Sequence, residues 1–94
     1  MIPDFGHKQT ERIWQGIRVS KLPSENQEVD RRKLRMLNNS QNLSDLRIPP
    51  SKRLEKLEGK LVDFNSIRIN DQWRIIFNWS GGNASNVKIV DYHK

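Results

Sequence analysis

The segment Trp73-Arg74-Ile75-Ile76-Phe77-Asn78-Trp79 constrains this chain more than any other. Successive side chains of a strand point to opposite faces, so Trp73, Ile75, Phe77 and Trp79 share one face and Arg74, Ile76 and Asn78 the other. Such a strand needs neighbours, and the flanking sequence supplies them. Ser66 to Ile69 alternates in the same way, and Val87 to Tyr92 reads as a last strand. Ser80-Gly81-Gly82-Asn83 is a turn signal between the last two strands.

The loop before Trp73 decides which residues face one another. A two-residue turn at Asn70-Asp71 would pair Ile69 with Gln72 and put the isoleucines on the face of Arg74. A three-residue loop, Asn70-Asp71-Gln72, pairs Ile69 with Trp73 and Ile67 with Ile75, which leaves one face wholly apolar. A one-residue slip turns every side chain over, so burial of that face selects the three-residue loop. Arg68 then faces Arg74 across the ladder. Like charges directly opposite cost stability unless something anionic sits there. Val87 and Ile89 continue the apolar face, so Lys88, Val90 and Tyr92 join the arginines. One allowed register puts Tyr92 beside Arg74, and a two-residue slip would move it along the strand. The expectation is a helix-covered apolar face and an open face carrying Arg68, Arg74, Lys88 and Tyr92. An ordinary solvated sheet face is the alternative.

The first half has helical spacing. Ile13, Trp14 and Ile17 predict a short amphipathic helix from about His7 to Arg18. Ser24 and Gln27 fit a capping box for a second helix, with Glu25 and Glu28 in its first turn. Val29, Lys33, Met36 and Leu37 form its stripe, and Asn38-Asn39-Ser40 end it. Ser44-Asp45-Leu46 can cap a final turn before Pro49-Pro50. Met1 to Phe5 suits a short edge strand. Leu54 and Leu57 bracket a charged stretch that is either a short strand or a loop. Helices first and strands afterwards mean α+β with an antiparallel sheet rather than alternating βαβ units.

Composition narrows the function. Ninety-four residues make one domain spanning 1–94, since a second core would leave each half too small. With no cysteine, disulfides, thiolate metal sites and a thiol nucleophile are excluded, and a reducing, cytoplasmic setting fits. No apolar run approaches the roughly 20 residues of a membrane span, and Pro3 and Asp4 argue against a signal peptide. A net charge of +6 on so small a body favours a polyanion or an acidic protein.

Asp91-Tyr92-His93-Lys94 concentrates groups suited to proton transfer and base stacking, although a frayed terminus is the simpler reading. His7 is too far away in sequence to build a metal motif with His93. Arg47, Lys52, Arg53, Lys56 and Lys60 cluster before the sheet, interrupted by Glu55 and Glu58, and suit phosphate-backbone contact. The three tryptophans read as core or sheet-edge packing. Arg31-Arg32-Lys33-Arg35 reads as a solvated helix face, or else as a surface for an acidic protein partner.

Ser66-Ile67-Arg68-Ile69-Asn70-Asp71-Gln72-Trp73-Arg74-Ile75, the ending Ile89-Val90-Asp91-Tyr92-His93, and Pro49-Pro50 followed by Arg53-Leu54-Glu55 resemble HigB-type toxins of the RelE/ParE superfamily, the plasmid maintenance system killer branch. The resemblance covers essentially the whole chain. It implies two N-terminal helices on one face of a small twisted antiparallel sheet. It also implies a ribosome-dependent endoribonuclease that cuts mRNA in the ribosomal A site, with neither metal nor cofactor. The implied partner is a HigA-type helix-turn-helix antitoxin in a toxin–antitoxin hetero-oligomer, with operator DNA contacted only through the antitoxin, and no membrane.

By that resemblance Arg74 sits at the scissile phosphate, Arg68 holds an adjacent one, Tyr92 stacks on or orients a nucleotide, and His93 assists proton transfer with Asp91 in support. Arg53, Lys56, Lys60 and Lys88 would contact RNA. Many relatives carry a lysine at a catalytic position where this chain has Glu58, between Lys56 and Lys60. The expectation is an attenuated nuclease. A ParE-like toxin acting on gyrase and a non-catalytic ribosome- or antitoxin-binding module are the alternatives.

Overall fold

The computed structural model describes residues 1–20, 22, 24–47, 55–56, 64–70 and 72–91. Helices α1 (Lys8–Trp14) and α2 (Gln27–Asn39) precede strands β1 (Glu55–Lys56), β2 (Asn65–Arg68), β3 (Trp73–Ser80) and β4 (Asn83–Asp91). Each strand pairs antiparallel with the next in the order β1-β2-β3-β4. The α+β class read from the sequence is therefore the observed one, and the charged stretch bracketed by Leu54 and Leu57 contributes a strand.

α1 stops sooner than its spacing predicts. Gly16 adopts φ +87°, Gly16 N donates to Ile13 O at 3.0 Å and Ile17 N to Arg12 O at 2.8 Å. This is a Schellman cap, in which a residue without a Cβ takes the left-handed position. It ends the helix at Trp14 and leaves Ile17 half exposed rather than on the buried stripe.

The predicted capping box does not have its Gln27 half, and Asn26 precedes α2 with no side-chain cap. Gln27 is instead buried, its Oε1 accepting from Val19 N at 3.0 Å and its Nε2 donating to Leu22 O at 3.0 Å. It satisfies the backbone of the interhelical loop, a requirement for any buried peptide group. The buried stripe of α2 is Gln27, Asp30, Leu34 and Leu37, with Val29, Lys33 and Met36 at its margin. A 3-10 turn at Leu43–Arg47 follows. There Asp45 Oδ2 accepts from Gln41 N and Asn42 N, and these hydrogen bonds hold its carboxyl below the usual range.

The β2–β3 loop is the expected three-residue one. Ile67 pairs with Ile75 and Arg68 with Arg74, while Asn70 Oδ1 accepts from Gln72 N and Trp73 N to close the turn. At the β3–β4 hairpin Gly81 and Gly82 adopt φ +57° and +80°, the two left-handed positions of a type I′ turn. β4 begins at Asn83, four residues before the predicted start. Between Ile76↔Lys88 and Asn78↔Ser85, Phe77 faces two residues, Asn86 and Val87. This β-bulge, with Asn86 at φ +53°, shifts the alternation by one. Ala84 and Val87 therefore both reach the core despite their odd spacing.

Ile13, Leu34, Leu37 and Leu46 close over Ile67, Ile75, Phe77, Ala84, Val87 and Ile89. Trp14, Trp73 and Trp79 pack against this core, as read from the sequence. The N-terminal segment runs parallel to the outer edge of β4, bridging Phe5 to Val87 and donating Gly6 N to Val87 O at 2.9 Å. Thr10 Oγ1 of α1 accepts from Ile89 N at 2.9 Å. An edge that would otherwise template further strands is thereby covered.

Candidate nucleic-acid interface

Arg68 ends β2 and Arg74 lies directly across from it near the start of β3, both half-buried. Ile69 N donates to Trp73 O at 2.9 Å, so Ile69 and Trp73 form a hydrogen-bonded pair of the ladder. Such pairs alternate with non-hydrogen-bonded ones, in which Cα atoms are only about 4.5 Å apart and side chains approach most closely. Arg68 and Arg74 form a pair of that second kind. Nε and Nη1 of Arg74 are buried, which places much of its charge where water screens it poorly.

The register on the other side of Arg74 differs from the one that set Tyr92 beside it. Val90 is its partner on β4, and the two-residue slip is the observed alternative. Lys88 shares the face of the arginines, across from Ile76. Its Nζ lies 5.2 Å from the centre of the Phe64 ring, a cation–π contact. Its stem packs against Gly6, whose missing Cβ leaves it room.

The expectation of an open face needs correction. Ser66 is fully buried and Ile76 is 2% exposed, although both lie on the arginine face. Phe64 leads into β2 while Lys88 is on β4, so their contact passes over β3 between them. The face thus has a covered centre, with the arginine pair towards one end. Ser66 Oγ has no hydrogen-bond partner among the described residues.

Asp91 ends β4 across from Trp73, on the helix-side register and not on the arginine face. It is exposed, and its Oδ2 accepts from Gln72 Nε2 at 3.1 Å. The backbone of Lys56 pairs with Asn65 in β1. Arg53, Glu58, Lys60, Tyr92 and His93 lie outside the described residues. The structure therefore brings Arg68 and Arg74 together, sets Lys88 on the same face beside its covered centre, and sets Asp91 apart from them.

Sequence reasoning gave two helical residues no part in this site: it read Lys33 on the stripe and in the basic run of α2, and did not single out Asp30. Lys33 Nζ donates to Arg68 O at 2.7 Å, linking α2 to the end of β2. Asp30, one turn before Lys33, is 2% exposed; burial pushes its carboxyl up to about 6, against the lowering effect of the Lys33 charge. A long side chain reaching a backbone carbonyl leaves no periodic signal. An acidic residue on the buried stripe does leave one: Asp30 stands at the spacing of Gln27, Leu34 and Leu37.

Among the described residues no helix is long and apolar enough to cross a membrane. What the arrangement offers closely spaced phosphates is two facing guanidinium charges, that of Arg74 with its Nε and Nη1 buried.

The family model for HigB-like toxins, described as "RelE-like toxin of type II toxin-antitoxin system HigB", matches residues 3–93. Over 95 residues, taking in 100% of this chain and 99% of the relative, the sequence is 42% identical to "Toxin HigB-1" of Vibrio cholerae serotype O1. It is 43% identical over 68 residues, 72% of this chain and 67% of the relative, to a Haemophilus influenzae protein named "Uncharacterized protein".

Proposed function

The chain belongs to the HigB-like toxins, RelE-like toxins of type II toxin–antitoxin systems, and on that premise we propose that it is a ribosome-dependent endoribonuclease cutting mRNA in the A site. A type II toxin has an antitoxin partner; the partner proposed here is a HigA-type helix-turn-helix protein. The observation that carries the nuclease reading is the Arg68–Arg74 pair. Two like charges held face to face on a ladder weaken the fold, and a dianionic stretch of RNA backbone turns that cost into binding.

In this reading a ribose 2′-hydroxyl attacks its own 3′ phosphate. The new O–P bond forms as the bond to the next nucleotide's 5′ oxygen breaks. Arg74 stabilises the charge that builds on the phosphoryl oxygens, with its poorly screened guanidinium already in place. Arg68 holds the neighbouring phosphate and aligns the chain for in-line attack. Tyr92 orients a nucleotide, and His93 assists the proton transfers, with Asp91 steadying the terminus. Arg53, Lys56, Lys60 and Lys88 hold flanking phosphates.

Mapping transcript ends on translating ribosomes, for the wild type and Arg74→Ala, tests this. Codon-phased cuts that vanish in Arg74→Ala, together with relief of growth arrest, are expected. Growth arrest that survives in Arg74→Ala rejects the site. Intact transcripts with a supercoiling defect point to a gyrase-directed toxin, and intact transcripts with normal supercoiling to a binding module.

A further inference from the structure

In a non-hydrogen-bonded pair the backbone groups point away from the partner strand. The carbonyl of Arg68 therefore faces away from β3, and it is there that Lys33 Nζ meets it at 2.7 Å, across 35 residues of sequence. Lys33 is half-buried on α2, so its ammonium approaches from the helix layer beneath the sheet. A charge-assisted hydrogen bond of this length is about twice as strong as a neutral one. It falls on the residue whose side chain meets Arg74 at close range.

We propose that Lys33 is a positioning residue for the arginine pair: by holding the Arg68 carbonyl it fixes the end of β2, and with it the direction from which Arg68 approaches a phosphate held by Arg74. This rests on the nuclease reading. Without the tie, repulsion between the guanidinium groups splays the end of the hairpin, and Arg68 loses its alignment while Arg74 stays in place. Lys33 does not touch RNA in this scheme, so its loss reduces turnover more than binding.

The test compares wild type, Lys33→Met, Lys33→Arg and Arg74→Ala in mRNA cleavage on purified translating ribosomes, with the folded fraction followed by circular dichroism. Lys33→Met keeps the aliphatic stem and removes the donor. It is expected to lower kcat by about tenfold or more, as small misplacements of catalytic groups do, with KM within about twofold of wild type. Lys33→Arg is expected to recover most of that loss. Amide exchange offers a readout independent of cleavage: the Ile69 amide should exchange faster in Lys33→Met and slow again in Lys33→Arg.

A wild-type kcat in Lys33→Met overturns the proposal. So does a rise in KM at unchanged kcat, which would make Lys33 an RNA-binding cation, or a loss that only tracks the folded fraction. An Arg74→Ala protein that cleaves as well as wild type instead overturns the placement of the site, and a wild-type protein that leaves transcripts intact overturns the nuclease reading. The exchange of the Ile69 amide then decides alone whether Lys33 holds the hairpin end.

Discussion

Arg68 and Arg74 are direct cross-strand partners in a non-hydrogen-bonded pair, the closest approach an antiparallel ladder allows two side chains. Their repulsion is measurable as a coupling. Replacing either with glutamine relieves the same repulsion, so the Arg68→Gln/Arg74→Gln double variant should be less stable than the two single effects added together. The discrepancy should be about 0.2–1 kcal/mol at low salt. It should shrink at high salt, where such charges are screened. Urea melts of the four proteins at two ionic strengths check this.

Asp30 titrates against the fold. Its carboxyl is pushed up to about 6 from an ordinary 3.8 by burial, opposed by Lys33. Between these values the folded chain keeps a proton that the unfolded chain releases, so this group adds stability as the pH falls through the window and removes it as the pH rises. Asp30→Asn should therefore be more stable than wild type at neutral pH, by up to roughly 3 kcal/mol. The advantage should fade as the pH approaches 3.8. Thermal melts of both proteins across that range would show the two curves converging; parallel curves would refute it.

Thr10 and Ile89 join α1 to the covered edge of β4 through a buried hydrogen bond. Thr10→Val keeps the shape and strands the Ile89 N–H, which should cost about 1–3 kcal/mol. Thr10→Ser keeps the acceptor and loses only a methyl group, at about 0.8 kcal/mol. Denaturant midpoints that rank the two variants in the opposite order would show the hydrogen bond to be unimportant.

By the resemblance to HigB-type toxins, Glu58 stands where many of them are expected to carry a lysine, in a stretch read as phosphate-binding. Glu58→Lys should strengthen growth arrest and raise the cleavage rate by at least about tenfold, short of the roughly 100-fold that a well-positioned acid or base contributes. Toxicity no greater than wild type would show that the chain is not attenuated at this position.

The β2–β3 register was legible because burial of Ile67, Ile75 and Phe77 allows one parity and rejects the other. The same logic placed Val87 and Ile89 correctly on β4 but missed its first four residues, where a bulge at Asn86 changes the parity and hides the contribution of Ala84. Asn is one of the few residues besides Gly that accepts φ above zero readily, so Asn86 was the available signal. Gly16 was a cap signal outweighed by the spacing of Ile17. Ile76 among arginines hinted that their face has a covered centre, but the covering ring of Phe64 stands outside the alternating run. The tie from Lys33 to Arg68 depends on how a helix lies against a strand end. No local pattern encodes that.

The segment against the outer edge of β4 has a kinetic consequence. Met1 O accepts from Ala84 N, Asp4 Oδ1 from Asn86 N, and Phe5 bridges to Val87. These partners stand about 80 residues apart in sequence, so the N-terminal segment finds its place only after β4 has been made. Contacts so distant in sequence slow folding. A nascent copy accordingly keeps Ile2 and Phe5 unsheltered and its sheet unfinished until β4 has been made.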